Sequence, residues 1–260
     1  MAVMDEFKEE REALKHGTPK EKISYFIYYY KWHVIITVAV IAMVISFIVQ
    51  LVNRKDNAIY VCMLNTAAKG EDGSLDESSS DDFGAEFAQY AGIDTGKYAV
   101  YHDTSMRIDY DSMGEDTFNS SQKYMACLAA AEMDVMLTDE ASLELYAYQE
   151  DFYDLRELLS GEQFEKYSPY FYYIDMVKVA ERNEIMDSAD NLYTDYTWIA
   201  PDPRKPEEME DPVPVGIYLD DCEKIREHFY FKSDDVVACV FVNTQKPDVA
   251  LQYLDFLMED

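Results

Sequence analysis

What constrains this chain most is a run of nineteen residues, 34–52 (VIITVAVIAMVISFIVQLV), with no charged side chain and only Thr37, Ser46 and Gln50 polar. As a helix rising about 1.5 Å per residue it would be roughly 28 Å long, close to the ~30 Å hydrocarbon core of a bilayer. A core helix of a water-soluble protein alternates an apolar with a polar face, and this run does not. It reads as a transmembrane helix. An aromatic group upstream (Tyr25, Phe26, Tyr28, Tyr29, Tyr30, Trp32) suits the headgroup boundary, and Arg54 and Lys55 mark the other edge. The segment also reads as uncleaved. The 33 residues before it exceed the lead of a removable signal, no small-x-small site follows, and Ile59-Tyr60-Val61 before Cys62 is a poor lipoprotein match.

The same boundary sorts the charge. Against 22 Lys and Arg stand 52 Asp and Glu, a net charge of −30. Residues 1–33 hold six bases and six acids, so the whole excess lies beyond the span. With 48% hydrophobic residues, that acidic part can build a core and is not a disordered tail. A field of this sign repels phosphates, which excludes nucleic acid as a partner. The bases flanking the span (Lys15, Lys20, Lys22, Lys31 before; Arg54, Lys55, Lys69 after) are too balanced to orient it. A single span with a 33-residue lead and a large acidic tail has the form of a signal anchor. The expectation is a single-pass cell-membrane protein with residues 1–33 in the cytoplasm, 34–52 in the bilayer and 56–260 outside. A helix over 5–15 would allow the lead to contact a cytoplasmic protein.

Past the span, 57–64 (NAIYVCML) reads as a strand and 69–82 (KGEDGSLDESSSDD) as a solvated loop without calcium-loop spacing. A short helix over 83–91 stops at Gly92, and 98–102 (YAVYH) is a second strand. Ser120 or Ser121 is a candidate cap for a helix through 131, before a strand at 134–137 and a helix over 141–148. Such alternation predicts βαβ crossovers and a mainly parallel sheet. Between 161 and 212 the texture changes. Aromatic pieces at 167–173 and 193–198 suit a small antiparallel element, and the Pro and Glu run 201–214 a surface loop. Strand character resumes at 213–219, a helix follows over 221–228, and 236–242 (VVACVFV) is a β-branched strand. From Pro247 onward, Ala250, Tyr253, Leu254 and Leu257 fall on one helical face.

Two of these segments resemble a known family. Residues 122–159 (QKYMACLAAAEMDVMLTDEASLELYAYQEDFYDLRELL) and 236–259 (VVACVFVNTQKPDVALQYLDFLME) are similar to extracellular solute-binding proteins of the type II periplasmic-binding-protein class. The likeness lies in a helix leading to a D-[VI]-[IVM]-x-x-D strand, and in a strand, Asn, Lys-Pro and closing helix. It covers about a third of the part beyond the span. It implies an α/β fold: one N-terminal transmembrane helix, then a periplasmic-binding-protein-like domain with a mainly parallel sheet and a second lobe reduced to 151–212. The chain departs from the family in keeping its span and in its small size.

In an open parallel sheet, ligands bind beyond the carboxyl ends of the strands. The residues predicted there to bind a ligand are Asn65, Thr66, Asp103, Thr104, Thr138, Asp139 and Asn243. The same residue types cap helices and turns at any strand end. Tyr170, Tyr172, Tyr173 or Trp198 could stack on a sugar or simply pack. Beyond the span only His102 and His228 remain, without zinc spacing, and no GxSxG, HExxH, P-loop or GxGxxG occurs. No catalytic residue, metal site or cofactor is assigned, and the chain reads as a non-enzyme. Cys62, Cys127, Cys222 and Cys239 form no CxxC pair; outside the cell a disulfide is allowed, in any of three connectivities, while the place of Cys62, Cys127 and Cys239 within expected strands or a helix favours buried free thiols. Two functions are expected. The first is a membrane-anchored solute-binding-like module that captures a small molecule or peptide for a transporter permease or sensor. The alternative is a non-enzymatic assembly protein that uses this fold to contact another membrane protein.

Overall fold

The computed structural model describes residues 18–53, 55–70, 72–76, 78–109, 114–187 and 198–259. The chain divides into two compact units, Met1–Arg54 and Lys55–Asp260. In the first, α1 (Pro19–Asn53) is an unbroken helix of 35 residues. Pro19 stands at its start, where the N–H that proline lacks has no partner to lose. Within α1, Lys31–Val49 is long and apolar enough to cross a membrane, and none of that window is buried. Ile35, Val38, Met43 and Phe47 are exposed around the helix. A helix apolar on every side suits an apolar solvent, so this one is compatible with a single-pass membrane anchor. Of the aromatic group before it, Tyr28 and Trp32 are exposed. The side chains of Tyr25, Phe26, Tyr29, Tyr30 and Arg54, and the expected helix over 5–15, lie outside the described residues.

The second unit is built on a six-stranded sheet in the order β3-β1-β4-β8-β6-β5. Its strands are β1 (Asp56–Cys62), β3 (Tyr98–Asp103), β4 (Val135–Asp139), β5 (Phe171–Asp175), β6 (Pro212–Tyr218) and β8 (Val236–Val240). β3, β1 and β4 pair in parallel, whereas β8 runs antiparallel to both β4 and β6, and β5 antiparallel to β6. Four strands thus point one way, but only two of the five pairings are parallel, so the sheet is mixed. The short strands β2 (Ala67–Ala68) and β7 (Phe229–Tyr230), unmarked in the sequence, form a separate antiparallel pair.

Both faces of the sheet are covered, and β1 shows how. Ile59, Val61 and Met63 enter one core, while Tyr60, Cys62 and Leu64 enter the other. The first core is closed by Phe83 and Phe87 of α2 (Ser78–Tyr90) and by the C-terminal helix α9 (Pro247–Met258). The second is closed by Tyr124 of α3 (Glu115–Ala129), by α4 (Glu140–Ala147) and by Val179 of α7 (Met176–Asp187). Two short helices, α5 (Leu155–Leu158) and α6 (Gly161–Tyr167), precede β5, and α8 (Glu223–His228) precedes β7. Residues 151–212, expected as a reduced second lobe, place β5 at the edge of this main sheet rather than in a separate small antiparallel element.

Several boundaries differ from the sequence reading for local reasons. α2 starts at Ser78, so the loop at 69–82 ends sooner than expected. It stops at Gly92, whose φ of 66° lets the N–H of Ile93 reach Ala88 O and that of Gly92 reach Gln89 O. α3 opens at Glu115 behind Gly114 with no side-chain cap, and Ser120, expected as a cap, accepts the N–H of Arg107 at 3.0 Å. β6 includes Pro212 and Pro214 from the expected loop. Opposite Pro214 the pairing with β5 shifts register, and β8 pairs only at Ile217 and Tyr218, so the missing N–H interrupts little. Gly216 sits where a Cβ would come within 2.7 Å of Cys239 Sγ and Val237 Cγ1.

Candidate functional site

The ends of β1, β3 and β4 gather six of the seven residues predicted to bind a ligand, and the geometry spends most of them on the fold. Asn65 holds a left-handed φ of 57°. Its amide donates to Ile108 O (3.0 Å) and to Ser142 Oγ (2.8 Å), and its carbonyl accepts Ile108 N–H (2.8 Å). Asp139 caps α4, accepting Ser142 N–H at 3.1 Å and Ser142 Oγ–H at 2.9 Å. Asn65, Ser142 and Asp139 therefore form one relay that ties β1 to β4 and its helix. Thr138 and Thr66 both donate to Leu64 O, at 2.9 and 3.1 Å.

A second buried relay closes the end of β3. Asp103, 1% exposed, accepts from Tyr60 (2.5 Å), Ser105 Oγ (2.6 Å) and Ser105 N–H (3.0 Å), and pairs with Lys123 at 2.5 Å. Burial alone would raise the Asp103 carboxyl, but the hydrogen bonds from Lys123, Ser105 and Tyr60 outweigh it and hold it below the ordinary range. Burial likewise opposes the charge on Lys123, and Asp103 overrides it and raises that ammonium. Lys123 also donates to Ser105 Oγ at 2.8 Å. This Ser–Lys contact resembles a nucleophile and base, yet Asp103 favours the charged ammonium of Lys123 and accepts the hydrogen bond that Ser105 Oγ–H donates, an arrangement that does not make Lys123 a base for Ser105. Thr104 is half-buried beside this group.

Asn243 does not join them. It was placed with the others on the expectation that its strand runs parallel, and the antiparallel course of β8 carries it to the opposite end of the sheet. There its side chain donates to Leu128 O at 2.6 Å, and its buried side-chain oxygen has no partner among the described residues. Nearby, Asp134 accepts Tyr60 N–H at 2.8 Å, the hydroxyl of Thr244, and Lys246 at 3.2 Å.

A cleft of about 540 Å³ does open beside the carboxyl ends, lined by Asn65, Arg107, Asp109, Thr117 and Lys232. Of the predicted set, only Asn65 reaches it. A larger hollow of about 720 Å³ lies at α8, lined by Tyr170, Cys222, Lys224, Glu227 and Glu259. Of the aromatics expected to stack or pack, Trp198 packs edge-on against Tyr148 at 4.7 Å, Tyr172 is buried, Tyr173 is half-buried and Tyr170 lines that hollow. Tyr193 lies outside the described residues. His102 is buried, contacts Tyr253 OH through Nε2 (2.8 Å), and sits among Phe83 and Phe229. Burial lowers its pKa to about 3 and keeps the ring neutral. The four cysteines are free, with Cys62, Cys222 and Cys239 buried. Among the described residues no three His, Cys, Asp or Glu side chains gather closely enough to hold a metal ion.

The sequence reading did not single out Tyr60, Ser142 or Lys123, which complete the two relays. Tyr60 meets Asp103 across 43 residues, Ser142 meets Asn65 across 77 and Lys123 meets Asp103 from the next helix, so only the Asp139–Ser142 cap has a local spacing. In comparison with known proteins, no family model, no curated protein and no solved structure matches the chain.

Proposed function

We propose that the protein is a membrane-anchored, non-enzymatic assembly module that uses its α/β domain to contact another membrane protein. The observation that carries this reading is the saturation of Asn65, Asp103 and Asp139 by partners within the fold. A solute site needs convergent polar groups free to meet a ligand. Here those groups knit strands and cap a helix instead. Outward-facing apolar side chains support a contact role: Phe118 and Met125, seven residues apart on α3, are each 58% exposed. The span is proposed to leave residues 1–33 in the cytoplasm and 56–260 outside, on the signal-anchor reasoning given above. The likeness of 122–159 and 236–259 to type II periplasmic binding proteins fits a binding scaffold turned to protein contact. Solute capture keeps one supporting feature, the cleft at Asn65, with Arg107 and Lys232 on its wall. The test is photo-crosslinking in native membranes from a benzophenone side chain at position 118 or 125. A discrete adduct with a second membrane protein, absent when the probe is at Glu162, is the expected result. Equal adducts from all three positions, or none, would sink the reading.

A further inference from the structure

A pocket of about 250 Å³ lies between α4, β5 and the segment after Trp198, lined by Glu140, Glu144, Tyr172, Pro201, Asp202 and Pro203. Glu140 and Glu144 stand four residues apart, on one face of α4, where like charges repel. Among the described residues neither has a Lys or Arg partner. The nearby cations are engaged elsewhere: Lys205 with Asp202 at 3.1 Å, and Arg204 with Asp220 and Asp235 at 2.9 and 2.8 Å. Tyr172 supplies an independent sign. The residue is 2% exposed and lines the pocket, and its hydroxyl, without a hydrogen bond among the described residues, is not sealed from solvent but keeps access to it. The neighbouring Tyr218 instead donates to Glu140 Oε2 at 2.6 Å.

The pocket is also preformed. Its outer wall is fastened by the N–H of Tyr173 to Pro203 O at 3.1 Å and by Arg204, which lies 3.5 Å over the Tyr218 ring. Two prolines stiffen that wall. The volume is below that of a whole-ligand cavity and fits the head of a chain. We propose that this pocket binds an alkylammonium group, whose three N–H donors meet the Glu140 carboxylate, the Glu144 carboxylate and the Tyr172 hydroxyl oxygen. The −30 net charge steers cations toward such a site. The group could belong to a free amine or to a lysine side chain of a partner protein. The proposal does not depend on the assembly reading.

The experiment is calorimetric titration of the full-length chain in neutral detergent micelles, at low salt, with butylammonium chloride and with N-acetyl-lysine methylamide. Saturable binding should weaken about tenfold or more in Glu144→Gln and in Tyr172→Phe, the loss expected for a hydrogen bond to a charged group. Glu162→Gln removes the same charge from exposed α6 and should leave binding unchanged. Glu144 is exposed and makes no described contact that the fold needs, so its variant remains a fair test even if Tyr172→Phe fails to fold. Tighter binding of the lysine derivative assigns the pocket to a partner's side chain, and tighter binding of butylammonium to a free amine. No saturable binding of either probe, or equal weakening by Glu144→Gln and Glu162→Gln, would overturn the proposal.

Discussion

Replacing Asn65 separates a structural from a ligand-binding role at the strand ends. The side chain makes three hydrogen bonds, two of them to the backbone of Ile108, which is 2% exposed. A net loss of about 1 kcal/mol per bond puts Asn65→Gly roughly 3 kcal/mol below wild type, with buried Ile108 polar groups left unpaired. Glycine keeps the left-handed φ of 57° at no steric cost. Alanine does not, and adds about 1 kcal/mol or more of backbone strain. The expected order is wild type, then Asn65→Gly, then Asn65→Ala, the last about 4 kcal/mol down. Urea unfolding of the α/β domain in the full chain, followed by near-ultraviolet circular dichroism, reads the midpoints, and an unchanged slope licenses the comparison. If both variants fall within about 0.5 kcal/mol of wild type, as ordinary surface changes do, the relay carries no structural load and the reasoning fails.

Gly216→Ala should cost about 1–3 kcal/mol in the same assay, because its Cβ would meet Cys239 Sγ at 2.7 Å, and Cys239→Ala should recover part of that loss. His102 makes stability depend on pH. Its pKa is lowered from 6.5 to about 3 in the fold, so the unfolded chain binds the extra proton and stability declines as pH falls from 6.5 toward 3, by up to about 1.4 kcal/mol per unit. Unfolding at a series of pH values should show that slope reduced in His102→Gln, and an identical slope in the variant would contradict it. For topology, Ser233→Cys in a Cys127→Ala background places a thiol at an exposed position, while Cys62, Cys222 and Cys239 are buried. An impermeant maleimide on intact cells should label it, and protection until lysis would reverse the orientation.

What could be read in the sequence was set by burial. The strands at 57–64, 134–137 and 236–242 lie between two helical layers, so both faces are apolar and their runs stand out. α9 was legible because Pro247 marks its start and Ala250, Tyr253, Leu254 and Leu257 share one buried face. Strand direction was not legible, since nothing in VVACV distinguishes a parallel from an antiparallel neighbour. That is how Asn243 came to be grouped with residues at the other end of the sheet. Nor does composition tell a ligand-facing Asn from one that ties two loops together, as Asn65 does. The acids Glu140 and Glu144 look like any solvated helix face until β5 and the segment after Trp198 form a pocket beside them.

The most direct test of the central claim is a thermal-shift screen of the full-length chain against sugars, amino acids and metal ions, each with Arg107→Ala alongside. Arg107 is exposed on the cleft wall beside Asn65, so its loss perturbs a ligand there without touching the core. A solute bound at a hundredfold over its dissociation constant adds about 2.7 kcal/mol, well within reach of the measurement. The expected result is no shift that depends on Arg107, with any response to an ammonium compound surviving in that variant and lost in Glu144→Gln. A solute whose shift disappears in Arg107→Ala would contradict the assembly reading and restore ligand capture at the ends of the strands.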